Sequence, residues 1–196
     1  VDPRTFLMKT EDIEASLSPR TKAIIPVHLF GQCVNMKTLM AIAKSRDLYV
    51  IEDNAQSIGA RCNTSDDTKQ MSGTIGHIGC TSFYPSKNLG CYGDGGAMFS
   101  RDEHLAHKIK MLANHGMDRR YYHDEIGVNS RLDSVQAAIL NVKLPHLDQW
   151  NQMRRKAADQ YDQQLAKISN ILVPTRVPWS EHVFHQYTIR VTDGRR

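Results

Sequence analysis

A primary amine followed by a run of glycines is the first place in this chain where chemistry can be sought. Lys87 stands in Cys80-Thr-Ser-Phe-Tyr-Pro-Ser-Lys-Asn-Leu-Gly-Cys-Tyr-Gly-Asp-Gly-Gly96. The apolar, β-prone run at 80–84 meets Pro85, which cannot continue a ladder and sets a turn. Gly90, Gly93, Gly95 and Gly96 follow, so the backbone near the amine can approach a ligand closely. A partly desolvated lysine has a lowered pKa and can form a Schiff base with an aldehyde. Alone, such a lysine is more often a solvated loop residue.

A second group alters that balance. The apolar run at 48–51 reads as a buried strand and leads into Glu52 and Asp53. Ligands of open α/β sheets bind at the carboxyl ends of strands. A pyridoxal phosphate site needs both groups, a lysine for the aldehyde and a carboxylate that keeps the ring nitrogen protonated. By itself Asp53 reads equally well as a turn or N-cap residue.

Several stretches in order resemble the DegT/StrS family of pyridoxal phosphate-dependent sugar aminotransferases. They are Thr21-Lys-Ala-Ile-Ile-Pro-Val-His-Leu-Phe-Gly31, Ile51-Glu-Asp-Asn-Ala-Gln-Ser57 and Gly76 through Gly90 around Lys87. Gly93-Asp-Gly-Gly-Ala97, Asn114-His-Gly116, Gly127-Val-Asn-Ser-Arg-Leu-Asp133 with Gln136-Ala-Ala138, and His182-Val-Phe-His-Gln-Tyr187 continue the match.

The resemblance implies a fold-type I transferase: an α/β large domain with a mostly parallel central sheet, then the start of a small C-terminal α/β domain. It implies residues 1–150 as the cofactor-binding domain and 151–196 as a linker helix entering the small one. Members are roughly twice as long, so the chain looks like their middle portion, with segments expected on both sides. Lys87 matches the Schiff-base lysine and proton carrier, and Asp53 the partner of the pyridine nitrogen. Gln56 matches a residue near the ring hydroxyl, or it simply starts a helix. Ser82 matches a phosphate ligand, or it is a plain strand serine. Asn129 matches a residue reaching the phosphate of a neighbouring subunit in a homodimer, or it caps the next helix, and both roles are compatible. His28 touches the site or fills the core. Tyr84 and His185 are candidates for the sugar pocket.

The implied reaction moves an amino group, from glutamate, onto the C3 or C4 keto carbon of a nucleotide-linked sugar. The run around Lys87 and the pair Arg119-Arg120 look close to members making 3-amino hexuronates. A sugar dehydratase is a second reading, but those relatives carry histidine at the lysine position. A non-catalytic regulator is a third. Against it stand the absence of a concentrated basic stripe and of a helix-turn-helix pattern with a basic recognition face.

The composition is that of an ordinary globular chain: 196 residues, 40% hydrophobic, 23% charged, formal charge +4. The small positive excess suits a phosphorylated substrate or a solvated surface equally. No stretch approaches the ~20 apolar residues that span a bilayer. A cytoplasmic protein with no nucleic-acid or membrane partner is expected. Cys33, Cys62, Cys80 and Cys91 form no C-x-x-C pair and read as free thiols. His104/His107 and His182/His185 lack the carboxylate pattern of zinc enzymes and read as surface helix and loop residues; no metal is expected.

The elements that must position Lys87 and Asp53 alternate. A strand at 23–27 precedes a helix at 36–46, which Asn35 can cap and which turns Met36, Leu39, Met40 and Ala43 to one side. The Asp53 strand follows, then a polar stretch at 61–72 that reads as a loop. After the Lys87 strand come a strand at 96–100 and a helix bearing Leu105, Ile109 and Leu112, capped by Asp102 or Ser100 and ended by Gly116. Residues 117–127 read as a charged loop. Leu132, Val135, Ile139 and Val142 mark a helix interrupted by Pro145; Trp150, Met153, Ala157, Tyr161 and Leu165 mark a longer one. Alternating strands and helices imply a parallel sheet covered on both faces.

Overall fold

A computed structural model describes residues 1–64, 68–192 and 194. In chain order the elements are α1 (Ile13–Ser16), β1 (Ala23–Ile24), α2 (Met36–Ser45), β2 (Tyr49–Asp53), β3 (Arg61–Asn63) and β4 (Lys69–Met71). Then follow β5 (Ile78–Ser82), β6 (Gly96–Phe99), α3 (Glu103–Ala113), β7 (Met117–Arg119), β8 (Tyr122–His123) and α4 (Ser134–Lys143). The last are α5 (Leu147–Leu165), β9 (Ile171–Leu172), β10 (Ser180–Glu181) and β11 (Arg190–Val191).

The central sheet has the order β1-β2-β5-β6. Its first two pairs are parallel and β5–β6 is antiparallel. The parallel register pairs Asp53 with Cys80, so β2 and β5 end on the same edge. Because side chains alternate along a strand, Asp53, Cys80 and Ser82 share one face, while Val50, Glu52 and Thr81 share the other.

The second face is closed by α2. Asn35 caps this helix by accepting from the Thr38 amide at 3.2 Å. Met36, Leu39 and Ala43 are buried and join Ile24, Leu48 and Val50 in the main core. A smaller core lies under the Lys87 turn, where Phe83, Leu89 and Cys91 meet Leu140 and Leu147 from the α4–α5 junction. Among the described residues the first face is not similarly closed. Tyr49 and Met98 on it are about half exposed.

Several expectations are corrected. The 61–72 stretch forms β3 and β4, and β10 completes a three-stranded antiparallel sheet; pairing with a distant segment supplies what local propensity lacks. Within it, Ser65, Asp66 and Asp67 lie outside the described residues. Part of 117–127 is the hairpin β7–β8. Cys33 and Cys62 are joined in a disulfide, their Cα atoms 6.2 Å apart, leaving Cys80 and Cys91 free. The pair is 29 positions apart in sequence, so only the folded chain brings them together.

The two late helices are turned differently from their apolar pattern. Val135 and Val142 of α4 are mostly exposed while Leu140 is buried. On α5 the buried residues are Leu147, Asn151 and Ala158, with Met153 and Tyr161 exposed. Asn151 can occupy that inner position because its amide is satisfied on both sides. It accepts from Asn88 Nδ2 at 2.7 Å and donates to the Ile58 carbonyl at 3.1 Å.

Candidate active site

Asp53 ends β2. Its backbone is tied to the β1 side, the amide donating to the Pro26 carbonyl at 2.9 Å and the carbonyl accepting from the His28 amide at 3.0 Å. Its carboxylate accepts one hydrogen bond, from the Ala55 amide at 3.0 Å. Among the described residues it has no cationic partner. Burial first, and then the Asp53 charge, push the Cys80 thiol above its usual range.

Lys87 sits in the turn that Pro85 opens, its amide donating to the Tyr84 carbonyl at 2.9 Å. The turn is rigid for identifiable reasons. Phe83 donates to the Gly95 carbonyl at 2.7 Å, Cys91 donates back to Phe83 at 2.8 Å, and Asn88 donates to Asn151 and to the Val183 carbonyl. At Gly90 a Cβ would lie 2.5 Å from the Pro85 carbonyl oxygen, so only glycine closes the turn this tightly. The Lys87 side chain is half-buried, and its amine has no hydrogen-bond or ion-pair partner among the described residues.

His185 stands beside this amine, with its Nδ1 3.3 Å from Asn88 Oδ1. Burial, then the charges of Lys87 and Arg154, lower its pKa to about 4, so the ring is neutral at pH 7. Arg154 holds the local backbone by donating to the Phe184 carbonyl at 3.0 Å.

Ser82 ends β5. Its Oγ accepts from the Tyr84 amide at 3.2 Å, which leaves the hydroxyl proton to donate elsewhere. Gln56 lies three residues past Asp53, and its Oε1 accepts from the Phe30 amide at 2.7 Å. Asp53 and Ser82 thus end β2 and β5 on one edge, and Gln56 and Lys87 follow within five residues of those strand ends. Asn129 is not among them. It is exposed, bridges Asn114 at the end of α3, and accepts from Arg131 Nε at 3.0 Å. It does not cap the next helix, since α4 begins after Asp133.

His28 takes the core alternative, fully buried with Nε2 2.8 Å from Glu52 Oε2. Tyr84 is half exposed. His182 is buried rather than on the surface, stacked on Phe184 at 3.8 Å, and its Nδ1 accepts from the Phe184 amide. Glu52, Asn88 and Asn151 carried no readable signal. Each is a polar residue whose burial depends on partners distant in sequence.

The donor set fits pyridoxal phosphate. It offers an amine for the aldehyde and a carboxylate for the ring nitrogen, neither in an ion pair among the described residues, and a hydroxyl with a proton to give a phosphate. No cluster of three or more metal-ligating side chains occurs among the described residues, and no helix in them is long and apolar enough to cross a membrane.

Comparison with known proteins places the chain. It is 48% identical over 192 residues to a pleiotropic regulatory protein of Geobacillus stearothermophilus, covering 97% of this chain and 50% of the relative. It is 47% identical over 191 residues to UDP-N-acetyl-3-dehydro-alpha-D-glucosamine 3-aminotransferase of Acidithiobacillus ferrooxidans, covering 97% and 50%. The crystal structure of S. venezuelae DesV, in complex with a ketimine intermediate, superposes with a TM-score of 0.91 at 38% identity over 97% of this chain and 50% of that one. The chain spans about half the length of the relatives it matches. The fold is that of the large domain of fold-type I aminotransferases. The family model for DegT/DnrJ/EryC1/StrS aminotransferases matches residues 1–196, and the chain belongs to that family.

Proposed function

We propose that this chain carries the cofactor-binding part of a pyridoxal phosphate-dependent aminotransferase acting on a nucleotide-linked keto sugar, with glutamate as amino donor. One observation supports the reading: a half-buried amine and a half-buried carboxylate, neither with an ion-pair partner among the described residues, follow the ends of two neighbouring parallel strands. Ionic side chains in such places normally find partners, and here a ligand supplies them.

When bound, the cofactor supplies the electron sink for the substrate carbanion. Asp53 holds a proton at the ring nitrogen. Lys87 binds the aldehyde carbon through Nζ and moves a proton at the substrate carbon as general acid and base. Ser82 donates its hydroxyl proton to the phosphate. Gln56 orients the ring edge. Asn129, exposed and away from these four, reaches the phosphate of a second subunit, so a homodimer builds two complete sites. The 3-aminotransferase named among the relatives supports amination at C3 of a UDP-linked sugar. Residues 151–196 lead into a smaller second domain.

A regulatory role is the second reading, favoured by the name of the Geobacillus relative. The retention of Lys87, Asp53 and Ser82 argues for chemistry. An absorption spectrum of the intact protein with pyridoxal phosphate, before and after glutamate, decides. A visible band that glutamate removes supports the aminotransferase. No band in folded, dimeric protein, together with salt-sensitive DNA retention, supports the regulator.

A further inference from the structure

Glu52 lies one residue before Asp53 but faces the closed side of the sheet. Its side chain is fully buried and takes four hydrogen bonds. Oε1 accepts from the Ile75 and Gly76 amides at 2.7 and 2.6 Å. Oε2 accepts from the Gly73 amide at 2.7 Å and from His28 Nε2 at 2.8 Å. The roles on His28 follow from its other nitrogen. Nδ1 accepts from the Val34 amide at 3.2 Å, so the ring proton must sit on Nε2 and point at Glu52.

The surrounding backbone is shaped for this carboxylate. Gly79 is the register partner of Glu52 on β5, and a Cβ there would lie 1.8 Å from the Gly73 carbonyl oxygen. The missing side chain lets the 73–76 loop fold onto the sheet and present its amides. Burial alone would push the Glu52 carboxyl up, but hydrogen bonds from His28, Gly76 and Gly73 outweigh it and hold the group below its usual range. It stays ionised.

What the pair holds is the frame of the candidate site. His28 donates its amide to the Asp53 carbonyl, so ring and backbone of one residue grip two successive residues of β2. Beyond His28, the Phe30 amide donates to Gln56, and the Phe30 and Gly31 carbonyls accept from Gln186 and Val183. The loop that starts at His28 thus runs from Asp53 to the segment carrying His185, beside Lys87.

We propose that Glu52 and His28 are positioning residues that act through Asp53, fixing its carboxylate where it can partner the ring nitrogen. This rests on the pyridoxal phosphate reading above. Glutamine cannot replace Glu52 in this role, because one of its two ends must point N–H groups at N–H donors. His28→Gln is milder, since it can still donate to Glu52 while leaving the Val34 amide unpaired.

The test measures equilibrium binding of two probes to the intact protein: pyridoxal phosphate, and its analogue with the ring nitrogen replaced by carbon. Wild type should prefer the natural cofactor by about tenfold or more, the value of 1.4 kcal/mol. In Glu52→Gln and His28→Gln that preference should collapse towards unity, with affinity for the carbon analogue unchanged. In an Asp53→Asn background neither change should have a further effect on the ratio. If both probes weaken in parallel, the pair only supports the fold and the proposal is overturned. An undiminished preference in folded His28→Gln overturns it too, and that variant keeps the test open should Glu52→Gln fail to fold. A wild type that binds neither probe would instead sink the cofactor reading itself.

Discussion

Glu52 and Asp53 are adjacent carboxylates on one strand, and they end on opposite sides of the sheet in opposite conditions. Glu52 is buried under α2 and the 73–76 loop, with both oxygens doubly bonded to N–H donors. Asp53 is half-buried on the open side, with one local bond and, among the described residues, no cation beside it. The closed face spends its polar groups on holding itself together. The open face leaves a carboxylate, a hydroxyl and an amine with bonding capacity to spare. Sites of chemistry have that second character, and the rigidity they require comes from the first.

The comparison can be broken most directly at Lys87. Lys87→Ala in the intact protein should lower turnover by about 10⁴-fold, while its unfolding free energy in urea stays within about 0.5 kcal/mol of wild type. Near-normal turnover would remove Lys87 from the mechanism. On the closed face the expectation is reversed. Glu52→Ala strands His28 and three amides without an acceptor, and should cost about 3–5 kcal/mol in urea unfolding. A loss under about 1 kcal/mol would mean that water reaches those donors.

Gly79→Ala places a methyl against the Gly73 carbonyl and should cost about 1–3 kcal/mol, because the 73–76 loop must lift from Glu52. Indifference to this change, measured by thermal melting, would show that the loop is not pressed onto β5. A further contrast concerns pH. Burial first, then the Arg176 charge, lower the His182 pKa from 6.5 to about 3. Between those values the unfolded chain binds a proton that the folded chain does not, so stability should fall as pH falls, by up to about 1.4 kcal/mol per pH unit. His182→Asn should flatten that slope in melts taken from pH 7 to pH 4. An unchanged slope would assign the acid sensitivity to other groups.

Much of the candidate site was legible because its signals are local. Pro85 after an apolar run forces a turn, and a carboxylate after a buried strand must lie at a sheet edge. Asp53, Ser82 and Lys87 accordingly come to one edge. The cap at Asn35 and the helix face Met36, Leu39 and Ala43 follow from chemistry within one or two turns. The helices α4 and α5 were legible, but apolar period alone cannot say which of their sides meets a neighbour. Asn151 displaced Tyr161 and Met153 from the inner face once Asn88 and Ile58 offered it partners. The 61–72 stretch failed for a related reason, since β3 gains its partner β10 from more than a hundred residues away.

Residue types and short spacings by themselves determined the alternation of strands and helices, the turn at Lys87 and the edge position of Asp53. These depend on φ restriction, side-chain period and nearest-neighbour capping, all of which act within a few residues. Only the tertiary structure decided that Glu52 is buried and ionised, that His28 binds it through Nε2, that Cys33 meets Cys62, and that His185 stands neutral beside Lys87. A buried polar group is tolerable only when partners arrive from elsewhere in the chain, and no local pattern reports where those partners are.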